Sequence, residues 1–334
     1  MKTRKPIRSA FVSDLPDRLD RVYTAHHRQK VAELTDCYPE IISTETFLRH
    51  APHLQDIEVI FTTWGMPTLT PREINQLSSL KAIFYAAGSV QSFARPYLEK
   101  GISVFSAWVA NAIPVAEFTL AQILLSNKGY FRNSQESRNR SDSDRAFLGP
   151  GNYGQPVALL GAGKIGQRVI KFLHPFNIKV LVFDPFLPDD SADLLGVTRV
   201  TLEQAFEEGY VISNHLANLP PTQKMLRGAH FASMRQNATF INTGRAQTVN
   251  QVEMVEILEK RPDITALLDV YNYPDEAGER LHQLKNVHLS THIAGSINDE
   301  QQRLGDWMIE EYINWSKRER SRYQVKLEML ETMA

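Results

Sequence analysis

At roughly 150 residues per domain, 334 residues are enough for two domains that each bury a core. With 43% hydrophobic and 22% charged residues, the composition excludes wholesale disorder and a fibrous repeat. Lys plus Arg number 37 against 38 Asp plus Glu, a net charge of -1, which leaves no bulk field to draw in nucleic acid or an anionic membrane.

The opening MKTRKPIRSAFVSDLPDR is basic and has no apolar run of signal-peptide length before Asp14. Cys37 is the single cysteine, so neither an intrachain disulfide nor a cysteine zinc knuckle is expected, and a reducing, cytoplasmic location is. Four short apolar runs follow in the first hundred residues: SAFVS (9 to 13), EVIFTT (58 to 63), KAIFYA (81 to 86) and ISVFS (102 to 106). They predict a smaller α/β domain. The stretch Val109 to Leu125 is interrupted by Asn111, Pro114, Glu117, Thr119 and Gln122; it reads as an amphipathic helix over Ala112 to Leu125 and is expected not to span a bilayer. Residues Asn133 to Gly154 are polar and turn-rich and read as an exposed arm or connection.

From Gln155 the alternation is stronger. PVALL (156 to 160), KVLVF (179 to 183), YVI (210 to 212), ATFIN (238 to 242), ITALLDV (264 to 270) and NVHLS (286 to 290) are separated by helix-like stretches. Continuous Val/Ile/Leu/Phe runs are what strands buried on both faces require, so a doubly wound parallel sheet is predicted. A last amphipathic helix, Ile297 to Trp315, is expected to carry the chain back to the first domain.

GAGKIG, Gly161 to Gly166, is a common string by itself, but here it directly follows PVALL and precedes Ile165, Val169, Phe172 and Leu173 on one helical face. In such a strand, turn and helix, Gly161 permits the turn, Gly163 lets a pyrophosphate approach, and Gly166 lets helix pack on strand. Asp184, 18 residues past Gly166 at the end of KVLVF, is placed to accept from an adenosine ribose and to repel a 2'-phosphate, which favours NAD over NADP. The bland alternative is a glycine turn with a loop aspartate.

Arg245, Asp269 and His292 each follow one of the later strands, where open α/β sheets bind ligands. Singly they read as a surface arginine, a capping aspartate and a loop histidine. Together they suit reduction of a ketoacid: a planar guanidinium for the carboxylate, and an imidazole, whose unperturbed pKa is about 6.5, as acid and base. His26, His27, His53 and His282 are expected to be solvated. His288 and His292, four apart on a strand rather than a helix, do not suit a metal, and none is expected.

In order along the chain, GAGKIGQRV, NHLANLPPTQKML (214 to 226), MRQNATFINTGRA (234 to 246), ALLDVY and THIAGS resemble the segments of the D-isomer-specific 2-hydroxyacid dehydrogenase family, which includes phosphoglycerate, glyoxylate/hydroxypyruvate and D-lactate dehydrogenases. The likeness covers roughly residues 55 to 300. It implies a Rossmann NAD-binding domain over 111–298 and a flavodoxin-like substrate domain formed by 1–110 plus 299–334, with a small-molecule 2-hydroxyacid or 2-oxoacid as substrate and a homodimer as the assembly. By position it implies Arg245 and His292 as catalytic residues, backbone N–H groups of Ala87 and Gly88 with Arg245 on the substrate carboxylate, and cofactor contacts from Gly161, Gly163, Lys164, Ile165, Gly166, Asp184, His215, Thr222, Thr243 and Asp269. Asn111 and the VAEFTL stretch resemble the hinge into the cofactor domain.

The chain departs from that pattern after Asp269. The glutamate that pairs with the family's histidine is absent; Tyr273 or Pro274 occupies its slot, and Asp275 or Glu276 is the nearest carboxylate. Its loss leaves His292 without the expected ionic partner. Ala246 and Asn250 are milder departures. The missing glutamate motivates two alternatives: an NAD(H)-sensing binding protein of the corepressor type, and a formate-dehydrogenase-like hydride transfer.

Overall fold

The computed structural model describes residues 6–333. They form two compact units, residues 6–111 with 296–333, and 112–295.

In the first unit, β1 (Arg8–Phe11), β2 (Asp36–Cys37), β3 (Val59–Thr62), β4 (Ala82–Tyr85) and β5 (Ser103–Ser106) are parallel. They lie in the order β5-β4-β3-β1-β2, the flavodoxin-like order. The sheet also has an antiparallel edge strand beside β5. Both faces are buried: Ile60, Ile83 and Val104 pack on one side, Phe61, Phe84 and Phe105 on the other. The two phenylalanines Phe84 and Phe105 stack with ring centroids 4.7 Å apart.

The second unit holds β6 (Pro156–Leu160), β7 (Lys179–Phe183), β8 (Thr198–Arg199), β9 (Val211–Asn214), β10 (Thr239–Asn242), β11 (Thr265–Leu268) and β12 (Val287–Leu289). All are parallel, in the order β12-β11-β10-β9-β6-β7-β8. The order reverses between β6 and β9, which is the position at which a Rossmann sheet opens a crevice for a dinucleotide. The two-residue β13 (Gln324–Val325), on the first unit, pairs antiparallel with β5. Neither β2, β8 nor β13 was expected: two residues carry no periodicity.

Three expectations change. The helix after β5 runs Trp108–Asn127, longer than expected, and by length and composition it is apolar enough to cross a membrane, so the interrupting polar residues do not by themselves rule that out. What speaks for a core helix is that Ala116 and Ile123 pack with Val157, Leu159 and Val211 in the second unit. The stretch 133–154, expected as an exposed arm or connection, has no buried residue, but it overlaps the helical segments Tyr130–Glu136 and Arg140–Ser143, and Arg132 anchors it, donating to Asn237 Oδ1 (2.8 Å) and lying 4.6 Å over the Phe147 ring. His27 is buried, not solvated: its ring contacts Thr24 Oγ1 (2.8 Å) and Asp306 Oδ1 (3.1 Å). The cause is the close approach of the helix Gln302–Lys317, where a Cβ on Gly305 would lie 2.5 Å from the Val22 carbonyl oxygen.

Candidate active site

β6 ends at Leu160 and the chain turns through Gly161 at φ +98°, a conformation open to glycine. A Cβ at Gly161 would sit 3.0 Å from the His215 carbonyl oxygen, and one at Gly166 only 2.1 Å from the Gly161 oxygen. Those two glycines serve the protein's own packing. At Gly163 a Cβ would meet nothing within 4 Å. Open space over the first residue of the helix Lys164–Leu173 is what a pyrophosphate needs, so the turn fits a dinucleotide. Lys164 is exposed and Ile165 half-buried at this same helix start.

Asp184, one residue past β7, accepts from the Ala162 N–H through Oδ2 (2.7 Å) and from the Phe186 N–H through Oδ1 (2.8 Å). The carboxylate is thereby fixed beside the glycine turn, and each oxygen keeps capacity for a ribose hydroxyl. Beyond β9 and β10, Thr243 Oγ1 lies 3.5 Å from His215 Nδ1. Burial pushes the His215 imidazole down from 6.5 to about 4, so this ring is neutral. The Thr222 hydroxyl donates to the Ala217 carbonyl (2.5 Å) and accepts from the Leu219 N–H (2.9 Å), which holds the loop it is expected to present to the cofactor.

The second group of residues surrounds a cavity of about 290 Å³ lined by Arg245, Gln247, Tyr271, Thr291 and His292, among others. Arg245 is half-buried, and its Nη1 donates to the Gly244 carbonyl (2.9 Å). Among the described residues no carboxylate pairs with it, and burial pulls its pKa down. A sequestered guanidinium without an anion is costly unless a ligand supplies one.

His292 is exposed and has φ +60°, an uncommon value for a residue with a side chain. Asp269 accounts for it. This buried carboxylate accepts from Ser290 Oγ (2.6 Å), the Ile293 N–H (2.8 Å) and the Ala294 N–H (2.9 Å), while its own carbonyl accepts from the His292 N–H (3.1 Å). Asp269 therefore grips the histidine loop from both sides; three of its roughly four acceptor positions are used inside the protein, which limits its expected contact with the cofactor to one.

The carboxylates near the slot of the absent glutamate are engaged elsewhere or exposed. Asp275 caps the helix Glu276–Leu281, accepting from the Gly278 N–H (2.6 Å) and from Gln251 Nε2 (3.2 Å), and Glu276 is exposed. Tyr273 is 58% exposed and packs with Tyr271 against the His282 ring. Among the described residues no ion pair or side-chain hydrogen bond involves the His292 imidazole. Gln251, which sequence reasoning passed over, holds the segment in place by accepting from the Asn272 N–H (2.7 Å) and donating to its carbonyl (3.0 Å). Nothing local to Gln251 marks it, because its partners lie 21 residues away.

Ala87 and Gly88 belong to the first unit. The Ala87 N–H is taken by the Tyr85 carbonyl (2.9 Å), so of the two expected donors only the Gly88 N–H is without an acceptor among the described residues. Ser106 Oγ donates to the carbonyls of both Ala87 (2.9 Å) and Gly88 (2.7 Å).

Residues 120–294 match the family model described as "D-isomer specific 2-hydroxyacid dehydrogenase, NAD binding domain". The chain is 28% identical over 235 residues to a D-3-phosphoglycerate dehydrogenase of Synechocystis sp., covering 70% of this chain and 42% of that protein. It is 29% identical over 215 residues to a hydroxypyruvate reductase of Thermotoga maritima, covering 64% and 69%. The chain thus spans less than half the length of the Synechocystis relative. In fold it is similar to apo D-mandelate dehydrogenase of Rhodotorula graminis, with a TM-score of 0.78 at 18% identity over 96% of this chain and 98% of that one. It is similar also to D-lactate dehydrogenase with NAD+ from Lactobacillus jensenii, with 0.74 at 19% over 96% and 100%.

Proposed function

Because the chain belongs to the D-isomer specific 2-hydroxyacid dehydrogenase family, its residues 120–294 matching the NAD-binding domain, we propose that it interconverts a D-2-hydroxyacid and its 2-oxoacid with NAD as cofactor. The observation that carries this reading is the cavity shared by a half-buried arginine without a counter-ion and a histidine held by a dedicated aspartate. Gly163 and Asp184 would hold a dinucleotide, which when bound would supply hydride transfer to or from the carbonyl carbon.

Arg245 grips the substrate carboxylate with its planar fork, which lowers the cost of the sequestered charge and fixes which face of the carbonyl is presented. An imidazole nitrogen of His292 passes its proton to the carbonyl oxygen in reduction and recovers it in oxidation. Asp269 keeps that ring in place by holding the backbone on both sides of it. Asp184 selects NAD by its charge, which repels a 2'-phosphate. A second reading, an NAD(H)-responsive binding protein without turnover, rests on one observation: the His292 imidazole has no carboxylate partner among the described residues.

The test is consumption of NADH, with NADPH as control, against glyoxylate, pyruvate, hydroxypyruvate, 3-phosphohydroxypyruvate and phenylpyruvate. Turnover of one or more, weak with NADPH, is expected. Tight NADH binding with silence across the panel would replace the dehydrogenase by the binding protein.

A further inference from the structure

In a sheet of the first unit's strand order a ligand lies beyond the carboxyl ends of the strands where the order reverses, here between β1 and β3. Residues 12–15 and 63–66 form the rims of that crevice. The polar groups around it are turned inward. Thr62 and Thr63 donate to the Val12 (2.6 Å) and Ala86 (2.7 Å) carbonyls, and the Ser13 hydroxyl accepts from the Leu15 N–H (3.0 Å). The Asp14 N–H donates across the crevice to the Gly65 carbonyl (2.7 Å), and the Asp14 carboxylate accepts from the Thr44 N–H (2.6 Å) and hydroxyl (2.7 Å).

The side chains that these bonds leave for a ligand are apolar. Leu15 is 42% exposed, and Trp64 is half-buried, packed against the cores on both faces of the sheet. Gly65, at φ +91°, lets the rims meet: a Cβ there would lie 2.8 Å from Leu15 Cγ.

Charge separates the two sheets in the same sense. Within the four residues that follow each of β1 to β5 there is no Lys, Arg or His, whereas the same positions after β6, β9, β10 and β12 hold Lys164, His215, Arg245 and His292. His215 is neutral. On the reading proposed above Lys164 stands at the glycine turn of the dinucleotide, Arg245 takes the substrate carboxylate, and His292 serves the carbonyl oxygen. None of these strand-end cations is left for a second anionic group, and a phosphate at the crevice of the first unit would meet the Asp14 carboxylate instead of a cation.

We infer that the substrate is a 2-oxoacid whose one anionic group is its carboxylate and whose side chain is apolar, aryl or branched alkyl, with Trp64 and Leu15 as the residues that recognise that side chain. The inference deepens the dehydrogenase reading and rests on it.

The experiment compares kcat/KM of the full chain, with NADH, for phenylpyruvate, for glyoxylate, which has no side chain, and for 3-phosphohydroxypyruvate. Wild type is expected to prefer phenylpyruvate to glyoxylate by about tenfold or more, the worth of burying an aromatic side chain, and to use 3-phosphohydroxypyruvate least. Trp64→Ala should bring the ratio of phenylpyruvate to glyoxylate near one, while Trp64→Phe keeps most of it. Leu15→Lys places a cation at an exposed position and should raise 3-phosphohydroxypyruvate relative to phenylpyruvate by about threefold; it carries the test if the alanine variant does not fold. A wild type that prefers glyoxylate or 3-phosphohydroxypyruvate, or a folded Trp64→Ala or Leu15→Lys with the wild-type ratios, overturns the inference and leaves the dehydrogenase standing. Silence with all three while NADH still binds removes both.

Discussion

The two units have the same architecture and use their polar side chains in opposite ways. In the first, buried polar groups close on their own backbone: Thr62 and Thr63 donate to the Val12 and Ala86 carbonyls, Ser106 to those of Ala87 and Gly88, and the buried Glu311 carboxylate accepts from the Arg322 and Tyr323 N–H groups. In the second, groups past the strand ends are held firmly but left incomplete. Among the described residues Arg245 has no carboxylate partner, Gly163 faces open space, and His292 has its backbone fixed and no hydrogen-bond partner for its ring. Apolar runs account for both sheets; the incomplete valences distinguish the sheet to which the chemistry is proposed to belong.

The contrast can be broken most severely at Arg245. Arg245→Met should lower kcat/KM by about 10³-fold, with a melting temperature no lower than that of wild type, since it deletes a sequestered charge that no carboxylate among the described residues balances. Equal loss of activity and stability would show that the arginine is structural. Gly166→Ala comes next: with its Cβ 2.1 Å from a carbonyl oxygen it should cost about 3 kcal/mol in denaturant unfolding and weaken NADH binding, whereas Gly163→Ala should spare stability and weaken NADH binding alone.

His215 gives the pH dependence. Its folded pKa of about 4 lies below the ordinary 6.5, so the unfolded chain takes up a proton that the folded chain refuses. Its contribution is complete above the unfolded value and declines as pH falls from 6.5 toward 4, by up to about 3 kcal/mol. His215→Gln should flatten the unfolding free energy over that window; an unchanged slope would assign the acid sensitivity to other groups. The smallest effect is expected in the first unit, where Glu311→Gln should cost about 1 to 2 kcal/mol and leave the NADH affinity as it was.

The strands were legible because buried parallel strands are written as unbroken apolar runs, and PVALL and KVLVF coincide with β6 and β7 residue for residue. The glycine turn and Asp184 were legible because a fixed spacing along one βαβ unit serves one ligand. What stayed hidden depends on contacts between distant segments. Ser290 and the 293–294 backbone show the positioning work of Asp269 only when 21 to 25 residues of intervening chain have folded. His27 looked solvated because the helix that covers it comes from 279 residues further on. Two-residue edge strands such as Thr198–Arg199, exposed at both positions, carry no apolar signal at all.

On the proposed reading, a proton moves through His292 in a site whose cofactor half is independent of it. This is tested most directly by measuring NADH affinity and 2-oxoacid reduction together in wild type and His292→Ala. NADH binding should be unchanged in the variant and turnover abolished. Turnover that survives in the variant, or NADH binding lost along with it, would contradict the account.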